Sequence, residues 1–168
     1  WGLFLRVASD LAEFPLLETV HFLGMGEPFC HPRLIEAVGI LKSGGRRVRI
    51  TTNATLLDGA TARALVAVGA DIIDLSVEAD DVPWPGRVSS LEILSKAVEE
   101  LREARKHAGS NACEIRIALV VTRSNFPLIP GIVRSLKGKG VSAVSVSNLL
   151  PTDMEADANR LYPLTLEE

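Results

Sequence analysis

Thr19-Val20-His21-Phe22-Leu23-Gly24-Met25-Gly26-Glu27-Pro28 is a β-rich run that ends in two glycines, a glutamate and a proline. A helical pattern begins shortly afterwards, near His31. A strand that breaks on glycine and gives way to a helix opens a β-α unit. Glycines at the carboxyl end of a strand also let a ligand approach the backbone, because no Cβ stands in the way. Their peptide groups can then bond a polar ligand directly.

Moving outward, the same alternation continues in both directions. Upstream, Gly2 to about Phe14 reads as a helix, with Leu3, Val7, Leu11 and Phe14 on one face. The strand itself is expected over Glu18–Leu23. Downstream, Pro32–Ser43 is helical and stops at Gly44-Gly45. Arg47–Thr52 is a strand. Asp58 suits the N-cap of a helix over Gly59–Val68, closed by Gly69. Asp71–Val77 is a nearly continuous apolar strand. A helix capped by Ser89 or Ser90 runs to about His107, with Leu91, Leu94, Val98 and Leu101 on its buried face. Glu114–Val121 is a strand, Pro127–Lys137 a helix and Val141–Asn148 the last strand. Strands alternating with helices imply right-handed crossovers and a mainly parallel sheet. Residues 1–150 form one domain in this reading, and residues 151–168 are a tail leading onward. Periodicity leaves open whether the sheet is doubly wound or a curved part-barrel.

Composition excludes several classes. Of 168 residues, 47% are apolar and 23% charged, the usage of a globular domain. The net charge of −3 argues against bulk binding to nucleic acid or an anionic membrane. No apolar run is long enough to span a bilayer. The two cysteines, Cys30 and Cys113, are far apart, which fits the cytoplasm rather than a disulfide scaffold. Cys30 reads as a small buried residue in the turn before a helix. Two cysteines do not supply an iron–sulfur cluster, which needs three or four thiolates. No His/Cys/Asp set suggests zinc, and Gly44-Gly45-Arg46-Arg47 lacks the residues of a nucleotide phosphate loop.

Parallel α/β sheets carry their chemistry at the carboxyl ends of the strands. Here those ends are polar in every case: Gly24–Glu27, Thr51-Thr52-Asn53, Ser76-Val77-Glu78, Thr122–Asn125 and Ser147-Asn148. Five polar strand ends in one rim suggest a wide polar site over an apolar sheet. Asn53 and Ser76 either take part in it or satisfy loop backbone. Glu78 is either a ligand contact or a solvated carboxylate. Asn125 reads as an N-cap for the helix at Pro127, and His21 as a core or helix-facing residue.

Taken in order, the segments resemble the core of radical S-adenosylmethionine (radical SAM) enzymes, in particular the SPASM-like branch. The resemblance rests on Gly24-Met25-Gly26-Glu27-Pro28, similar to the family's GGEP motif; on Thr51-Thr52-Asn53 before Leu56-Leu57; on Asp71 to Glu78; on Val120 to Asn125; and on Val146-Ser147-Asn148 before Pro151. It implies a partial (β/α)6 TIM-like barrel, a parallel curved sheet with helices outside. It implies S-adenosylmethionine (SAM) as cofactor and a 4Fe–4S cluster held on a CxxxCxxC loop after the first strand. The cluster's electron cleaves SAM to a 5′-deoxyadenosyl radical. By position, Gly24, Gly26 and Glu27 meet the amino group of SAM, Asn53 lies along its cleft, and Ser76 meets its carboxylate or ribose. Glu78 meets the ribose hydroxyls, Arg87 pairs with the carboxylate, and Asn148 flanks adenine. No catalytic side chain and no metal ligand is assigned.

The CxxxCxxC segment is not in these residues. Against a six-unit barrel, the first strand with its cysteine loop and the last helix are missing. The chain starts at Trp1 inside a helical pattern, and is read as a piece of a longer protein whose cluster ligands lie elsewhere. The alternative is a non-catalytic, cluster-free α/β module that binds a small ligand or a partner protein. The resemblance does not name the substrate, whether small molecule, peptide or protein; neither nucleic acid nor membrane is expected as a partner.

Overall fold

A computed structural model of the chain describes residues 1–78, 90–122 and 125–148. Its elements are α1 (Gly2–Asp10), β1 (Thr19–Phe22), α2 (Leu34–Ser43), β2 (Arg47–Thr52), α3 (Gly59–Val68), β3 (Ile72–Glu78), α4 (Ser90–His107), β4 (Glu114–Val121), α5 (Ile129–Ser135) and β5 (Val141–Asn148). Short 3-10 turns lie at Leu11–Glu13, Pro28–Cys30 and Phe126–Leu128. The five strands form one sheet in sequential order, and every pair is parallel.

Local chemistry explains the boundaries. Asp58 caps α3 by accepting a bond from the Thr61 N–H at 2.8 Å, which satisfies one of the free amides of the first turn. Gly69 ends α3 in the left-handed region, at φ 82. Pro28 opens a 3-10 turn, so α2 starts at Leu34 rather than at Pro32.

The core lies between the sheet and the helices. Val48, Ile50, Ile73, Leu75, Ile115, Ile117 and Leu119 point from β2, β3 and β4 into one cluster. Val38 and Leu41 of α2, Leu65 of α3, Val98 and Leu101 of α4 and Ile132 of α5 complete it. The alternation of side chains along a strand sends the intervening residues to the other face. Helix α1 meets this core through Phe4 and Ala8, with Leu11 of the following turn. Leu3, Val7 and Phe14 are exposed, so the inward stripe is rotated by about one residue from the expected one. The aromatic choice decides it: Phe4 packs between Trp1 and Phe22, with ring centroids 4.9 and 6.5 Å away.

The lower rim, at the amino ends of the strands, is tied by ions. Asp71 accepts from Lys42 of α2 and from the Val48 N–H, both at 2.7 Å. Arg46 reaches back to the carbonyls of Leu11 and Leu17 and holds the turn after α1. Among the described residues, no helix is long and apolar enough to cross a membrane.

Candidate functional site

At the carboxyl ends of β1 and β2, the two strands part and a loop rises from each. The pairing of β1 with β2 ends at Phe22 and Ile50. Beyond it, Gly24 and Gly26 have φ of 143 and 126, a region that residues with a Cβ rarely enter. A Cβ at either glycine would meet no protein atom within 4 Å. The glycines are therefore required by the backbone path, and the space beside their Cα atoms is open. Both line a cavity of about 410 Å³, together with His21, Glu27, Trp1 and Phe4.

Glu27 does not point freely into that cavity. Its Oε1 accepts from the Thr52 hydroxyl at 2.7 Å and from the Phe29 N–H at 3.1 Å. Its Oε2 accepts from the Asn53 N–H at 2.8 Å. The Asn53 side chain turns to its own loop, where Oδ1 accepts from the Thr55 N–H at 3.0 Å and the Thr55 hydroxyl at 2.7 Å. Gly24, Gly26, Glu27 and Asn53 thus come together as one cluster. Ser76 lies on β3, on the face turned away from the helices and opposite Ala118 of β4. Glu78 and Asn148 are the last residues of β3 and β5, at the same rim. Arg87 lies outside the described residues.

Among the described residues, the face opposite the helices carries polar residues that the strand-end reading missed. Asp74 is 2% exposed and takes Arg49 in a two-pronged pair, at 2.5 and 3.0 Å. Asp74 sits in register between Thr51 and Arg116. Arg116 donates through Nε and Nη2 to Glu114, at 3.0 and 2.7 Å. The signal was in the sequence: Asp74 interrupts an apolar run, and β2 and β4 alternate polar with apolar.

His21 belongs to this face, not to the helix side. Its Nε2 is 2.8 Å from the Thr51 hydroxyl. Burial, and then the charge of Arg49, push its pKa below the ordinary value of 6.5, while Asp74 pulls the other way. Asn125 also departs from expectation. It stands before the 3-10 turn, but its side chain folds back on β4. Oδ1 accepts from the Thr122 N–H and Nδ2 donates to the Val120 carbonyl, each at 2.9 Å. A fully buried amide satisfies the end of the strand before it serves a helix.

Cys30 is exposed rather than buried. Cys113 is buried on the helix side, and desolvation pushes its thiol up to about 11. Among the described residues, no three His, Cys, Asp or Glu side chains are grouped to hold a metal.

The family model described as the Radical SAM superfamily matches residues 4–120. The tungsten-containing aldehyde ferredoxin oxidoreductase cofactor-modifying protein of Pyrococcus furiosus is 33% identical over 167 residues, covering 96% of this chain and 46% of its own. The PqqA peptide cyclase of Granulibacter bethesdensis is 28% identical over 147 residues, covering 86% and 37%. The chain thus spans less than half the length of these curated relatives. Among solved structures, native anSMEcpe with bound AdoMet superimposes with a TM-score of 0.68 at 16% identity, over 89% of this chain and 42% of that one. Streptococcus suis SuiB gives 0.60 at 21% identity, over 87% and 32%. At these identities the likeness is one of fold: five parallel strands with helices, as in the part-barrels of radical SAM proteins.

Proposed function

Because the chain belongs to the radical SAM superfamily, we propose that it is the SAM-binding portion of a radical enzyme core. The observation that carries this reading is the glycine loop. Gly24 and Gly26, with no side chain and with open space beside them, line a cavity that reaches the carboxyl end of β1, where parallel α/β sheets bind ligands. The residues fit SAM in this respect. The amino and carboxylate groups of a bound methionyl moiety are the kind of polar groups that exposed peptide N–H and C=O groups hold. In this reading the Gly24–Gly26 backbone meets the amino group and Asn53 lines the cleft. The same reading assigns Ser76 to the carboxylate or ribose, Glu78 to the ribose hydroxyls, Arg87 to the carboxylate and Asn148 to adenine.

The residues do not fit the cluster. Cys30 and Cys113 are the two cysteines of the sequence, and they stand on different elements. No step is therefore assigned to a cluster on this chain. We place its ligands in a CxxxCxxC segment elsewhere in the whole protein, on a strand that pairs with the free edge of β1. Residues 1–150 are then an incomplete barrel lacking its first strand and last helix, and 151–168 lead to the remainder. SAM held at the rim supplies the group used in radical chemistry on a substrate.

Calorimetric titration of SAM into the anaerobically reconstituted full-length protein tests the reading. Saturable binding that is lost in Gly26→Val is the expected result. A full-length protein that holds iron and sulfide yet takes up no SAM would overturn the SAM-binding reading, and one that holds neither would return the chain to a cluster-free binding module.

A further inference from the structure

We propose that Thr52, which is not itself a ligand contact, is a positioning residue of the SAM site: it locks the exit of β2 to the glycine loop. The inference rests on the reading above that this loop takes SAM. Thr52 is 1% exposed, on the helix side of the sheet. Its hydroxyl donates to Glu27 Oε1 at 2.7 Å and accepts from the Ala54 N–H at 2.9 Å. One oxygen thus joins two loops that leave neighbouring strands.

The sheet ladder cannot do this work, because β1 and β2 are paired only through Phe22 and Ile50. Past that row, Leu23 and Met25 are exposed and the two glycines impose no conformation by themselves. On the other side, Ala54 is held at φ 64, in the left-handed region that alanine avoids. A strained residue persists only where its surroundings over-determine it. Here the Thr52 hydroxyl and the Glu27 carboxylate provide that determination. Three donors from the chain fill the carboxylate, and two of them come from the end of β2. Glu27 therefore spends its charge on Thr52 and Asn53, and the peptide groups it holds in place are left for the ligand.

The test uses Thr52→Val, which keeps the shape and removes the hydroxyl, and Thr52→Ser, which keeps the hydroxyl. Both are made in the full-length reconstituted protein. SAM affinity should fall about ten- to a hundredfold in Thr52→Val, the effect of losing a hydrogen bond to a charged group. Thr52→Ser should bind within about threefold of wild type, given that it retains that bond. Iron content should be unchanged in both. Amide exchange without SAM should quicken at Phe29, Asn53 and Ala54 in Thr52→Val, and stay unchanged in α4. Wild-type affinity in Thr52→Val, or equal losses in both variants, would overturn the proposal. If wild type itself takes up no SAM, the functional reading falls, and the exchange pattern alone then decides whether Thr52 orders the loop.

Discussion

Gly26 adopts a backbone conformation at φ 126 that no branched side chain enters without strain, although the space beside it is open. Gly26→Val should therefore rebuild the loop rather than clash with a neighbour. SAM binding should vanish while the urea midpoint of the fold hardly moves, and a variant with unchanged SAM affinity would reduce the glycines to turn formers. The pair of Arg49 and Asp74 works in the other direction, on stability. Removing a buried carboxylate strands its cation, and because Arg49 is 35% exposed the cost is below that of a fully buried pair. Asp74→Ala should lose about 1–3 kcal/mol in urea unfolding, and no loss would mean that solvent already satisfies the guanidinium. His21 carries a pH dependence. Its folded pKa lies below the unfolded value of 6.5, so the unfolded chain binds the proton more readily. Its contribution is complete above pH 6.5 and is lost as pH falls through the folded value. Relative to His21→Gln, wild type should thus lose stability on going from neutral to mildly acidic pH. A constant difference across that range would remove His21 as the cause. At this scale the sequence singled out Gly24, Gly26, Glu27 and Asn53 as candidates, since a motif names its own residues, and the fold brings them together. It could not show that Glu27 is committed to Thr52, a contact made across 25 residues.

Elements were legible where a local cause fixes them. Asp58 caps α3, Gly69 closes it and Gly44 ends α2, as expected from residues whose preference is intrinsic. Gly69→Ala should cost about 1 kcal/mol, because alanine must then hold φ 82; its Cβ would stand only 3.5 Å from Lys42 Cε, an ordinary contact, so packing adds little. Thermal unfolding of the variant checks this, and an unchanged midpoint would mean that the end of α3 relaxes. Where the cause is tertiary, the reading slipped. The inward face of α1 depends on which rings meet Phe22, and periodicity does not distinguish the stripe through Leu3 and Val7 from the one through Phe4 and Ala8. Asn125 slipped for the same reason: cap propensity is local, while the bonds to Thr122 and Val120 follow from burial at the end of β4. Of the two caps predicted for α4, Ser89 lies outside the described residues and Ser90 is the first residue of the helix.

At the scale of the whole molecule, parallel order followed directly from the alternation of elements, because β-α-β crossovers leave few other arrangements. The polar face opposite the helices did not, since a buried carboxylate in an apolar strand reads as an exception until its partner is seen. The cysteine count also acts at this scale. Residues 1–168 alone, reconstituted with iron and sulfide, should hold no four-iron cluster, because two thiolates are too few; visible absorbance of a stable cluster on that chain would contradict the assignment of its ligands to another segment. The sequential strand order has a kinetic consequence. Each strand pairs with the next one made, so every new pairing closes a loop of one crossover and none has to wait for a distant segment. Such a sheet can lengthen unit by unit as the chain leaves the ribosome, with each helix sealing the strand before it. Among the described residues β1 and β5 are the two edges of this sheet, and a barrel of this kind can gain or lose a unit at either edge without changing the register of those between.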